Sequence, residues 1–131
     1  MNTKIATRRT YIPKWGDNRK QSDQDQIIAH YKILSCDEKT RIMPDRPLEF
    51  QYNPDGSVKG GSVSISTFRR PLVKNMLLKL ENCSYEDEDG VKHEIKSASD
   101  LLGAPTIYED LINELGDFFK DELEKGIEEK N

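Results

Sequence analysis

A chain of 131 residues is long enough for one domain with a single core, so neither a disulfide framework nor a metal is needed to hold it. Apolar residues make up 34% and charged residues another 34%, against roughly 45–50% and about 25% in an average domain, so the core is lean and part of the chain is expected to be extended or partner-dependent. No apolar run reaches the length of a membrane-spanning helix, and the first residues lack the hydrophobic stretch of a secretory signal; the expectation is a soluble intracellular product with no membrane partner.

The net charge of −4 hides a polarity. Residues 1–20 carry six cationic side chains against Asp17 alone, whereas residues 106–131 carry nine carboxylates against three lysines. Such ends attract, and the attraction steers a partner, clamps the arm onto its own body or joins copies head to tail as a homo-oligomer. Residues 1–25 show no sustained period and are read as an extended or flexible arm preceding a single domain over 26–131. Within the arm, Tyr11, Ile12 and Trp15 are bulky exceptions. They either dock into a groove, on this domain or on another chain, with Arg8, Arg9 and Arg19 beside them, or fold back over the domain edge. Stacking of Tyr11 or Trp15 on bases with the arginines on phosphates is a third option, which the acidic overall balance opposes; nucleic acid is not the expected partner.

From residue 26 to 34, Ile27, Ala29, Tyr31 and Ile33 alternate with Ile28, His30 and Lys32, a strand with one apolar face. Ser35 or Asp37 then caps a short helix that ends near Met43, stopped by Pro44 and Pro47. Leu48, Phe50 and Tyr52 alternate as a second strand over 48–52, followed by the turn Asn53-Pro54-Asp55-Gly56. In GSVKGGSVSIS, Val63 and Ile65 suggest a strand over 62–66, although Gly60-Gly61 reads equally well as a loop. Leu72, Met76 and Leu80, with Val73 and Leu77 one position on, form a helical stripe over 71–82, and Pro71 suits its first turn. Asp89-Gly90 marks a hairpin turn, and Val91, His93 and Ile95 alternate as a strand over 91–95. Ser97 caps a short helix through Leu102, closed by Gly103. The last helix, over 106–128, opens on a Thr106–Glu109 capping-box pattern and carries a continuous stripe from Ile107 through Leu115 to Ile127. Phe118, Phe119, Leu123 and Ile127 at its far end are either buried within the domain or presented to a partner.

Chemical signatures are lacking. The acidic run Glu86-Asp87-Glu88-Asp89-Gly90 fails the calcium-loop spacing, because aligning its glycine puts Tyr85 at the first carboxylate position. His30 and His93 show no HxxxH or HExxH spacing, Cys36 and Cys83 form no CxxC pair and read as reduced packing residues, and the glycines match no phosphate cradle. The reading is of a protein without cofactor, metal or catalytic residues, and not an enzyme.

The order of elements resembles that of small tail-assembly chaperones and accessory proteins of tailed bacteriophages. The likeness is carried by YIPKWGDNR in the polar start, the strand DQIIAHYKIL, the apolar helix LVKNMLLKLEN, the DG turn, the short helix SASDLL and the acidic end EEKN. The insert GSVKGGSVSIS has no counterpart in that pattern. The resemblance implies a non-catalytic protein of the host cytoplasm that binds other phage proteins. The alternatives are a virion component whose arm stitches neighbouring subunits, and an inhibitor of a host protein. The fold expected is α+β: a small, mostly antiparallel sheet packed by an apolar central helix and a long amphipathic C-terminal helix, with an extended basic N-terminal arm.

Overall fold

The structure, a computed structural model, describes residues 1–44, 51–55, 58–60 and 68–125. It is α+β with antiparallel sheets. In chain order the elements are β1 (Arg8–Tyr11), β2 (Ile28–Lys32), α1 (Cys36–Ile42), β3 (Gln51–Tyr52), β4 (Val58–Gly60), α2 (Arg69–Met76), β5 (Leu77–Glu81), β6 (Ser84–Glu86), β7 (Lys92–Glu94), α3 (Ala98–Leu102) and α4 (Glu109–Glu124). The main sheet has the order β1-β2-β5, and β3-β4 and β6-β7 are separate hairpins.

The period-2 pattern of β2 sets the orientation of the main sheet. Ala29 and Tyr31 are fully buried on one face, opposite Leu80 and Leu77 of β5, while His30 points to the other face beside Lys79. Helices α2 and α4 cover the buried face, supplying Leu72, Met76, Leu111, Leu115 and Phe119 to the core. The two helices cross closely because Gly116 has no side chain: a Cβ there would lie 2.7 Å from both Cα and Cβ of Arg69. Arg69 in turn grips Asp117 through two parallel hydrogen bonds of 2.8 and 3.0 Å.

Local capping follows the expected chemistry. Ser35 and Glu38 form a reciprocal capping box at α1, and Ser97 and Asp100 form another at α3. The acidic turn is held by Asp87, whose carboxylate accepts from the N–H groups of Asp89 and Val91 and contacts His93 Nε2 at 2.9 Å. That imidazole, followed by the Val91 N–H, holds the Asp87 carboxyl below its usual range.

Several expectations are corrected. The helix expected over 71–82 stops at Met76, and residues 77–81 continue as β5 with no intervening loop. The cause is competition from β2, whose open edge pairs with this segment. A bulge at Leu78 places the buried leucines Leu77 and Leu80 three positions apart, which imitates a helical spacing. The residue 106–128 helix begins later, after a 3-10 turn Thr106–Tyr108, and ends at Glu124; no side chain caps its start, and Ile107 is exposed instead of joining the stripe. The strand expected over 48–52 is seen at Gln51–Tyr52 and pairs with β4, the turn at Pro54 and Asp55 lying between them. The strand expected over 62–66 and the stripe position Ile127 lie outside the described residues. Cys83 packs in the core as expected, but Cys36 is exposed at the first turn of α1.

Candidate functional site

The residues that the sequence marks as partner contacts are brought together, but mostly on one another. The arm over residues 1–25 enters the main sheet as β1, with Arg9 opposite Tyr31 and Tyr11 opposite Ala29. Alternation along β1 turns Arg9 and Tyr11 towards α4. Tyr11 stacks on Phe118 with ring centroids 3.8 Å apart and planes 17° from parallel, and the Arg19 guanidinium lies over the Tyr11 ring, 5.7 Å from its centroid. Trp15 stacks on Tyr108 at 5.0 Å.

Two carboxylates of α4, two helical turns apart, fix this arrangement. Glu114 accepts three hydrogen bonds: from the Tyr11 hydroxyl at 2.7 Å, the Lys14 N–H at 2.7 Å and the Trp15 N–H at 3.0 Å. Glu122, with its side chain only 8% exposed, accepts from Tyr31 OH at 2.5 Å and pairs with Arg9 at 3.3 Å and Lys125 at 3.5 Å. Burial, reinforced by the Glu114 carboxylate, pushes the Tyr11 hydroxyl up to about 12; burial and Glu122 raise that of Tyr31 further. The chain then runs back to β2 across two 3-10 turns. Asn18 is buried there, its amide donating to Pro13 O at 2.9 Å and Ile27 O at 3.0 Å and accepting from Ile27 N at 2.6 Å.

The arm is therefore docked on its own body, as strand β1 followed by the 3-10 turns of Trp15–Lys20. Of the alternatives for Tyr11 and Trp15, the structure shows docking on their own domain: stacking and carboxylate contacts hold them down. Phe119 is fully buried and belongs to the core, while Phe118 and Leu123 are half-buried beneath the arm and at the helix end. Arg8 and Ile12 remain exposed.

Among the described residues, what stays open is the opposite face of the sheet. Here a cleft of about 390 Å³ is lined by Arg8, Thr10, His30, Leu78 and Lys79, together with Arg9 and Tyr31, whose side chains turn to the inner face. Leu78, squeezed outward by the bulge, is 40% exposed and supplies an apolar floor. Arg8 and Lys79 stand on the outer strands, while the basic side chains of β2 between them are engaged: His30 contacts Glu81 at 3.0 Å and Lys32 contacts Glu38 at 3.2 Å. The His30 hydrogen bond is the main reason the Glu81 carboxyl lies below its usual range, with Lys79 contributing. Sequence reasoning missed this face, since Thr10, His30 and Lys79 lie far apart in the chain and only strand register unites them. The one local signal was that the polar positions of β2, His30 and Lys32, are both basic.

Among the described residues, no cluster of three or more His, Cys, Asp or Glu side chains is placed to hold a metal ion, and no helix is long and apolar enough to cross a membrane. Burial raises the Cys83 thiol to about 11, which keeps it protonated and a poor nucleophile at neutral pH. No protein-family model matches the chain, and no curated protein or solved structure matches it either.

Proposed function

We propose that this chain is a non-catalytic protein-binding factor, and that its place is in tail assembly of a tailed bacteriophage, as a chaperone or accessory protein acting in the host cytoplasm. The observation that carries the binding reading is the one-sided sheet: helices cover one face, and the other keeps a cleft with an apolar floor between cations. The tail-assembly part is supported by the order of the sequence elements and the segments YIPKWGDNR and EEKN. A buried thiol at Cys83 that stays protonated at neutral pH fits a protein that makes and breaks no bond.

Phe119 of α4 belongs to the core and Phe118 and Leu123 are half-buried, which favours the sheet face as the place where a partner's apolar segment docks. Mass spectrometry of purified particles, together with affinity purification of the tagged full chain from infected cells, tests the reading. The expected result is recovery with tail proteins from the cell extract and absence from finished particles. A fixed copy number in particles would make it a virion component, and recovery of a host enzyme alone would make it an inhibitor.

A further inference from the structure

We propose that the outer face of the β1-β2-β5 sheet receives an acidic polypeptide segment, with an apolar side chain of that segment seated on Leu78 and its carboxylates on Arg8 and Lys79. This rests on the reading of the protein as a non-catalytic binder and names the chemistry of its partner.

The cleft combines two features that select one class of occupant. Leu78 offers an apolar contact at its floor. Among the described residues, neither Arg8 nor Lys79 is in a direct ion pair within 4 Å, whereas the intervening His30 and Lys32 already have Glu81 and Glu38. Strand spacing puts the two outer strands about 10 Å apart across the sheet. An extended peptide spans that distance in about three residues and presents alternate side chains to the surface. A phosphodiester backbone carries no apolar side chain to cover Leu78, which favours a polypeptide over nucleic acid. A second copy docking by its own β1 is opposed, because Arg8 and Arg9 would face like charges across the new strand pair.

The test uses the full chain and fluorescence anisotropy with three labelled probes: a short peptide of alternating Glu and Leu, the same peptide with Gln for Glu, and a single-stranded oligodeoxynucleotide. The acidic peptide is expected to bind saturably and more tightly than the other two. The Arg8→Glu/Lys79→Glu double variant should weaken it by about tenfold or more, since reversing both cations turns attraction into repulsion. Added salt should weaken binding to the unaltered chain, which keeps the proposal testable if the double variant does not fold. No binding of the acidic peptide, equal affinity for the Gln peptide, indifference to the double variant or preference for the oligonucleotide would each overturn it. Failure of the tail-assembly reading is separable: tail proteins retained equally by the double variant sink the sheet-face proposal alone. Acidic-peptide binding at this cleft without any phage partner sinks the tail-assembly reading alone.

Discussion

Replacing Glu114 with alanine should release the N-terminal arm while leaving the rest of the fold in place. Its carboxylate accepts from Tyr11 OH, Lys14 N and Trp15 N at 2.7, 2.7 and 3.0 Å, and among the described residues those three donors have no other acceptor. A hydrogen bond to a charged group contributes about 1.5–3 kcal/mol, but the Lys14 N–H is exposed and regains water on release, so the three do not add. A net loss of about 2–3 kcal/mol in arm docking follows, equivalent to a factor of roughly 30 to 150 in the opening equilibrium. Native-state amide exchange reads this directly: protection in β1 should fall by that factor while the amides of α2 and the centre of α4 keep theirs. Glu114→Gln should fall between, because one carbonyl oxygen remains for three donors and the new NH₂ faces an N–H. A uniform loss of protection across all elements, or a change in β1 below about threefold, would show that Glu114 is not what holds the arm down.

Gly116→Ala should destabilise the fold by about 1–3 kcal/mol despite the better helix propensity of alanine, because its Cβ would meet Arg69 Cα and Cβ at 2.7 Å. Urea denaturation measures this, and a raised midpoint would contradict the close crossing of α2 and α4. Phe119→Ala should cost about 3–5 kcal/mol in the same assay, as expected for a fully buried aromatic side chain; a chain that stays fully stable and loses only an interaction would return Phe119 to the surface. Alkaline titration should also destabilise the protein. Tyr11 is raised from 10.0 to about 12 by burial and then by Glu114, so the folded state retains a proton that the unfolded chain gives up. That contribution is fully present below pH 10 and is lost as pH rises towards about 12. Circular dichroism melts across this window should show the loss and a smaller one in Tyr11→Phe; stability that is flat with pH would refute it.

The fold was legible where one side chain pattern met one partner. Alternation in β2, the capping serines Ser35 and Ser97 and the Asp89-Gly90 turn each encode a local outcome that packing does not override. β5 was hidden because Leu77 and Leu80 are both buried across a bulge, and a strand interrupted in this way shares its spacing with a helix. β1 was hidden for a different reason. Its inward positions are Arg9 and Tyr11, whose polar ends are met by Glu122 and Glu114, so the strand buries its side chains without any run of apolar residues. The charge polarity between the termini was visible in composition, whereas its use as an internal clamp depends on which carboxylates of α4 face β1. The outer cleft was the least legible feature, since it exists only through the register that sets Arg8, His30 and Lys79 on one face.

The docked arm decides which surface a partner meets first. A partner that takes Tyr11 and Trp15 must break three hydrogen bonds to Glu114, the stack on Phe118 and the stack on Tyr108 before it gains any contact. A partner that lands on the outer face breaks none of these. Moreover, β1 contributes Arg8 and Thr10 to that face only while Arg9 and Tyr11 are held against α4, because successive residues of a strand point to opposite sides. Arm docking and the open cleft are thus two sides of one strand: contacts that remove the aromatic anchors from solvent also complete the cationic rim. Glu114→Ala should accordingly weaken acidic-peptide binding without touching a single cleft residue, and unchanged affinity alongside a demonstrably released arm would break that link.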